Sequence, residues 1–486
     1  MYLELKKLTV QHSEDLRCAL KVIDNNAQGV CFILDGNKVV GVLTDGDIRR
    51  ALINNIELTQ NVAKVMKKKF TWLGCQASTS QIQSTLSEHI KYVPLLNSKH
   101  ELVDFACAHH YRNIPVAQPE LNGNELAYVT DCIKTGWVSS KGKYVKQFED
   151  DFARYIKSSS AIAVSNGTVA LHLTLVALGV GPGDEVLIPD LTFAATANAV
   201  LYVGAIPVLV DIDPQTLCID PLKARAAVTS KSRAIIPVHL YGHPADMDAI
   251  RTLARDYDLL VIEDCAEALG TLFHGRHVGT FGDASIFSFF GNKTITTGEG
   301  GMAVFDSQAV YQRANMLRDH GMDPERRYWH SQIGFNYRMT NIQAAIGVAQ
   351  LERVDYFIDK KRWIAEQYSK RLGVISNIKL PTEYGNVYNS YWLFTIELIG
   401  SLANERDDLL RRLTLNGIEA RQVFIPLHDM PPYKKYIKTD SDFSVASRVS
   451  NASLSLPSSS KISELELSSV CDIIEAMDKR IKIPAL

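Results

Sequence analysis

Apolar residues recur along this chain with two different periods. Behind Ser13, which can cap a helix, Leu16, Leu20 and Ile23 fall on one helical face. Two short apolar runs follow, VCFIL at 30–34 and VVGVL at 39–43. They read as strands joined by Asp35-Gly36-Asn37-Lys38, a composition that favours a hairpin turn. Thr44 stands where the next helix, DIRRALI, begins. Residues 60–106 repeat this helix, strand, strand, helix plan more weakly, with YVPLL at 92–96 and ELVDF at 101–105 as strands. Arg112 to Pro119, an extended stretch bracketed by Pro115 and Pro119, suits a linker into a new domain, with the boundary near residue 112.

From residue 160 the pattern changes to Val-rich strands alternating with amphipathic runs. AIAV, EVLIP, PVLVD, AIIPV, LLVIE and ASIFSF are separated by segments such as VALHLTLVALG. That alternation predicts an α/β domain with a largely parallel sheet and a ligand at the carboxyl ends of its strands. Beyond residue 345 the chain turns long and helical through 342–372, then mixed around the strand YWLFTIEL, which fits a second, smaller lobe.

Composition narrows the partners. A chain of 486 residues with 46% apolar content is long enough for at least two cores. Its 52 basic and 54 acidic residues give a net charge of −2, so no basic face advertises nucleic acid or an anionic membrane. Any phosphate must be held locally. The eight cysteines are scattered without a CxxC pair or a Cys/His cluster, which predicts reduced, mostly buried thiols and no metal site. The start, MYLELKKLTVQ, lacks a long apolar core, and no apolar run reaches the ~20 residues of a membrane span, which predicts a cytoplasmic protein.

Candidate chemistry clusters at predicted strand ends. Asp264 follows the strand LLVIE, and some thirty residues on Lys293 sits in a loop of glycines and hydroxyls, GNKTITTGEGGM. Alone, each has an ordinary reading as a turn cap or a solvated lysine. Together with a phosphate cradle they match what pyridoxal phosphate needs: a lysine amine for the imine, a carboxylate for the ring nitrogen and donors for the phosphate. Ser165-Asn166-Gly167-Thr168 precedes the helix VALHLTLVAL, whose first-turn N–H groups suit an anion. Ser288 can add a hydroxyl, and Phe193 can stack on the ring.

SNGTVALHL, VIEDCAEALG, SFFGNKTITTGEGGM and GFNYRMTNIQAAIG resemble the DegT/DnrJ/EryC1/StrS family of sugar aminotransferases, over residues 113–480. The resemblance implies the type I aminotransferase fold: a large domain with a mostly parallel central sheet (112–360) and a small C-terminal α/β lobe (361–486). It implies Lys293 as the imine-forming lysine and proton shuttle, and Asp264 on the pyridine nitrogen. Gly167, Thr168 and Ser288 would hold the phosphate. Asn336 would reach the cofactor of a neighbouring subunit, making a homodimer with shared sites, or a tetramer built from it, part of the mechanism. Glu267 occupies a position where many members carry His or Gln near the ring hydroxyl, and Ser139, Lys141 and His428 are the candidates for the sugar. WVSSKGKYV, HLYGHPADMD and RDHGMDPERRYWH are similar to members that move an amino group from L-glutamate to C4 of a GDP-linked 4-keto-6-deoxy-mannose. A UDP- or dTDP-linked sugar remains the alternative. A 3-dehydratase of the superfamily carries His where Lys293 stands, so the lysine argues for amino transfer.

GVCFILDGNKVVGVLTDGDIRRAL resembles the first half of a CBS-domain pair, an α+β module that binds adenine or guanine nucleotides. The resemblance implies a pair over residues 1–111 in which Thr44 and Asp47 reach a ribose; the second half lacks the signature. Nucleotide sensing and simple assembly are both open for this module. A chain that only senses nucleotide, with a non-catalytic cofactor domain, is the alternative of another class.

Overall fold

The computed structural model describes residues 5–26, 29–77, 79–87, 90–107, 114–438 and 441–479. The chain divides into two compact units, residues 1–113 together with Leu486, and Ile114–Ala485.

The first unit holds two three-stranded sheets. One runs β1 (Thr9–Gln11), β2 (Val30–Asp35), β3 (Lys38–Thr44), and the other β4 (Leu73–Gly74), β5 (Tyr92–Leu96), β6 (Leu102–Cys107). β2 and β3 pair antiparallel across Gly36-Asn37, with Gly36 at φ 62°, a left-handed turn position open to glycine. The helix Leu16–Asn26 buries Leu16, Ala19 and Ile23 while Leu20 is half-buried, so the expected stripe is shifted by one residue. Its start also differs: Asp15, whose Oδ1 accepts the Cys18 N–H at 2.8 Å, does the capping expected of Ser13. The weaker copy contains the helix Thr79–Thr85 before β5, but β6 runs through to Cys107, so the described residues of 60–106 hold no closing helix; Arg112 and Asn113 of the expected linker lie outside the described residues.

From Ile114 onward that extended stretch is built into the second unit. The Ile114 N–H donates to Gly417, its carbonyl accepts from Glu419, and the Val116 carbonyl accepts from Ser458. The central sheet has seven strands in the order β7 (Ala161–Val164), β15 (Gly301–Phe305), β14 (Ala284–Ser288), β11 (Leu260–Asp264), β10 (Ser232–Ile235), β8 (Glu185–Pro189), β9 (Ile206–Val210). β15 alone is antiparallel to its neighbours. Side chains alternate between faces with period two. Leu187, Val208, Val210, Val261 and Phe287 join the core under helices Lys143–Ile156, Met247–Tyr257 and Asn341–Leu351. Val186, Ile188, Leu209, Ile262 and Ile286 join the opposite core, under Gly167–Ala177, Ala195–Tyr202 and Gln308–Arg318. Helices on both faces of a mainly parallel sheet leave the carboxyl ends of its strands as the open edge.

The helical run at 342–372 breaks at Glu352-Arg353 into Asn341–Leu351 and Val354–Leu372. The second helix serves two cores. Phe357 and Ile358 pack with the large sheet, whereas Ile364, Tyr368 and Leu372 pack with the smaller lobe. That lobe is the sheet β16 (Ile378–Lys379), β18 (Phe394–Leu398), β20 (Ser453–Leu456), β19 (Arg421–Gln422), covered by helices Arg406–Leu415 and Glu464–Asp478. β12 (Leu272–Phe273), β13 (Arg276–His277) and β17 (Val387–Tyr388) form a small antiparallel sheet. Among the described residues no helix is long and apolar enough to cross a membrane, and six of the eight cysteines are buried.

Candidate active site

The strands β7, β8, β10, β11 and β14, all running the same way, end at one cleft of about 700 Å³. After β7 the chain turns through Asn166, whose side chain caps the helix starting at Gly167 by accepting from the Val169 N–H at 3.0 Å. Asn166, rather than Ser165, is therefore the cap, and Gly167 and Thr168 face the cleft. The approach is close. A Cβ on Gly167 would lie 3.0 Å from the Ser288 Cβ, and one on Gly301 would lie 2.6 Å from the Asn166 backbone. Only bare backbone lets β14, β15 and the helix start converge there. After β8 comes Phe193, exposed in the same cleft and tilted against Phe424 at 5.8 Å.

The reversed strand β15 explains the lysine. Because β14 and β15 pair antiparallel, residues 289–300 hang as one loop at the carboxyl edge, beside Ser288. The loop is pinned by the Phe289 N–H donating to Gly300, the Thr297 N–H to Phe289, and the Lys293 N–H to Phe290, each at 2.9 Å. Lys293 Nζ donates to Glu267 Oε1 at 3.3 Å, and Glu267 Oε2 accepts the Tyr241 N–H at 3.0 Å.

Asp264 ends β11 facing the cleft, 5% exposed. It meets two neutral donors, the Thr196 hydroxyl on Oδ2 at 3.0 Å and the Ala266 N–H on Oδ1 at 3.1 Å. Burial pushes its carboxyl above the ordinary value, opposed by those donors and by the Lys293 charge. Burial raises Glu267 likewise, opposed first by Lys293. Two buried carboxylates thus share one lysine. The chemistry missing beside Asp264 is a second cation, which a protonated pyridine nitrogen supplies. With the anion cradle at Gly167, Thr168 and Ser288, the residues present fit pyridoxal phosphate.

Other residues singled out by sequence lie elsewhere. Ser139 and Lys141 are exposed and do not line the cleft; the Ser139 carbonyl accepts the Asn341 N–H. His428 also lies off the cleft lining. Its Nδ1 is 2.6 Å from Asp190 Oδ2, its Nε2 is 3.3 Å from Ser447 Oγ, and its ring stacks on Phe443. It partners a buried acid, Asp190, whose carboxyl burial pushes up to about 6 against the pull of His428. Asn336 is exposed, bound by Arg338, and outside the cleft of its own chain. Conversely, the cleft wall contains Thr196, Tyr241, Trp392, Arg421 and Gln422, none singled out from the sequence. Thr and Trp inside apolar runs carry no local mark of a site.

In the first unit Thr44 and Asp47 form a capping box for the helix Asp45–Ile53. Asp47 accepts from the Thr44 hydroxyl at 2.6 Å and pairs with Arg50 and with Lys67 at 3.1 Å.

This fold and this cleft define a pyridoxal-phosphate aminotransferase. The chain belongs to the DegT/DnrJ/EryC1/StrS aminotransferase family, which matches residues 119–475, while residues 5–54 match the CBS domain. It is 47% identical over 367 residues to GDP-perosamine synthase of Caulobacter vibrioides, covering 75% of this chain and 98% of that one. It is 46% identical over 362 residues to GDP-perosamine synthase of Escherichia coli O157:H7, covering 74% and 97%. Among solved structures it is similar to DesV of S. venezuelae, with a TM-score of 0.70 and 32% identity over 74% of this chain and 95% of that one.

Proposed function

We propose that this enzyme moves the amino group of L-glutamate to C4 of GDP-4-keto-6-deoxy-D-mannose, giving GDP-perosamine. The observation that carries the chemistry is the convergence of Lys293, Asp264 and the Gly167/Thr168/Ser288 cradle on one cleft; the likeness to GDP-perosamine synthases carries the substrate. Bound pyridoxal phosphate supplies the electron sink for the carbon that bears the amine. The Asp264 carboxylate would hold a proton on the ring nitrogen. Gly167, Thr168 and Ser288 fix the phosphate, and Phe193 covers one ring face against water. Lys293 Nζ takes the proton from the donor carbon, and Glu267 Oε1 keeps the resulting ammonium in place.

The same reading assigns Asn336 to the neighbouring subunit's cofactor in a homodimer, and Ser139, Lys141 and His428 to the sugar. It makes 112–360 and 361–486 the large domain and small lobe, and 1–111 a CBS pair. It places the enzyme in the cytoplasm, feeding an amino sugar into a surface polysaccharide such as an O-antigen. Thr44 and Asp47 are its contacts for a regulatory nucleotide, where a ribose hydroxyl must displace a present partner.

Absorbance titration tests the central claim. Glutamate is expected to bleach the cofactor band of the wild type, and GDP-4-keto-6-deoxy-mannose to restore it. Restoration by only a UDP or dTDP sugar overturns the substrate; no cofactor band overturns the class.

A further inference from the structure

Trp392 has no part in the roles above, yet it touches the reacting amine. It precedes β18 in the small lobe, 4% exposed, with Lys293 Nζ 3.8 Å from its ring centroid. Glu267 grips the same amine from its own side at 3.3 Å. The indole N–H donates to the Asn292 carbonyl at 2.8 Å, so the residue next to Lys293 also sets the orientation of the ring. A stacked Tyr241 ring, 6.2 Å away and 13° from parallel, backs it. The Trp392 carbonyl accepts from Lys361 Nζ at 2.9 Å; that buried amine also donates to the Ser458 carbonyl at 3.1 Å. The indole N–H thus fixes the ring, and the Trp392 carbonyl anchors its backbone.

We propose that Trp392 is a catalytic residue whose ring face, together with Glu267, holds the Lys293 ammonium whenever that amine is not bonded to the cofactor. The inference rests on the amino-transfer reading, in which the donor amine displaces Lys293 from the cofactor and Lys293 rebonds only when the aminated product leaves. A buried carboxylate alone is a poor holder, because burial favours its neutral form. A ring face attracts the ammonium whatever the protonation of its neighbours, and indole does so best of the aromatic side chains. The arrangement keeps the amine close enough to move protons and to return to the cofactor.

The test is trace acetylation of Lys293 in holoenzyme held in saturating glutamate, read by mass spectrometry as a function of pH and normalised to the exposed Lys141. Loss of the ring face in Trp392→Leu is expected to lower the pH midpoint of Lys293 labelling and to raise its rate near neutral pH by roughly three- to tenfold, with Trp392→Phe between. A cleft merely opened by the substitution would raise the rate at every pH and leave the midpoint in place; that outcome, or a wild-type profile, overturns the proposal. If Trp392→Leu does not fold, as read by circular dichroism, the Phe variant carries the test, and an unshifted midpoint there overturns it. Absence of glutamate-dependent bleaching in the wild type sinks the amino-donor reading instead, and labelling of the cofactor-free protein then still decides the role of the ring.

Discussion

Asp47 in the first unit and Asp264 in the second stand at or just beyond the ends of β-strands, belong to recognisable motifs and are almost equally buried, 6% and 5% exposed. Their surroundings are opposite. Asp47 has two cations and a Thr hydroxyl, and although burial pushes its carboxyl up, these bonds win and hold it below the ordinary value. Asp264 has only neutral donors, and burial wins. The pH dependence therefore has opposite sign. Asp47 contributes stability above the usual carboxylate pKa of ~3.9 that is lost as pH falls through its lowered folded value. Asp264, with a raised folded value, lowers the stability of the cofactor-free protein as pH climbs from ~3.9 through that value. A motif carboxylate whose charge is already balanced is structural; one whose balance is left open marks where a cationic ligand goes.

The largest expected effect in this comparison comes from removing the amine that both cleft carboxylates share. Lys293→Ala is expected to cut product formation at least about a thousandfold and to abolish the glutamate-dependent change in absorbance. Next is Asp264→Asn. Losing the charge that holds the ring nitrogen protonated is expected to lower kcat by about 10²–10³-fold. The cofactor-free variant is expected to melt no lower than wild type at neutral pH and to lack the loss of stability on raising pH. A melting temperature that falls by several degrees at neutral pH would make Asp264 a structural residue like Asp47.

How much of this was legible in sequence depended on whether the information was local. Strand ends, the hairpin at Gly36-Asn37 and the placement of Asp264, Lys293 and the Gly167 cradle follow from periodicity and turn chemistry over a few residues. The reversed β15 does not, because a five-residue apolar strand reads the same in either direction. Nor does the break at Glu352-Arg353, where both flanking segments keep a helical pattern. Trp392 and Thr196 were invisible for a stronger reason: their meaning lies in contacts with Lys293, 99 positions away (392 − 293), and Asp264, 68 positions away. His428 likewise has partners, Asp190 and Ser447, that no local sequence signal reveals.

The smallest effect is expected from Thr44→Ala, and it sharpens the comparison from the other side. A carboxylate offers about four lone-pair sites. Asp47 Oδ2 accepts the Thr44 N–H and hydroxyl, and Oδ1 meets Arg50 and Lys67, so all four are in use. Removing the Thr44 hydroxyl takes away one of these bonds and the cap on the Asp47 N–H, which costs about 1 kcal/mol. Amide exchange in the helix Asp45–Ile53 is expected to quicken roughly fivefold, as that free energy implies, and acid unfolding of this unit to begin at higher pH, because Asp47 loses a bond that lowers its pKa. Turnover without added nucleotide is expected to be unchanged. Thr44→Ser, which keeps the hydroxyl, should restore both readouts; failure to do so would show that the methyl group rather than the hydrogen bond stabilises this helix start.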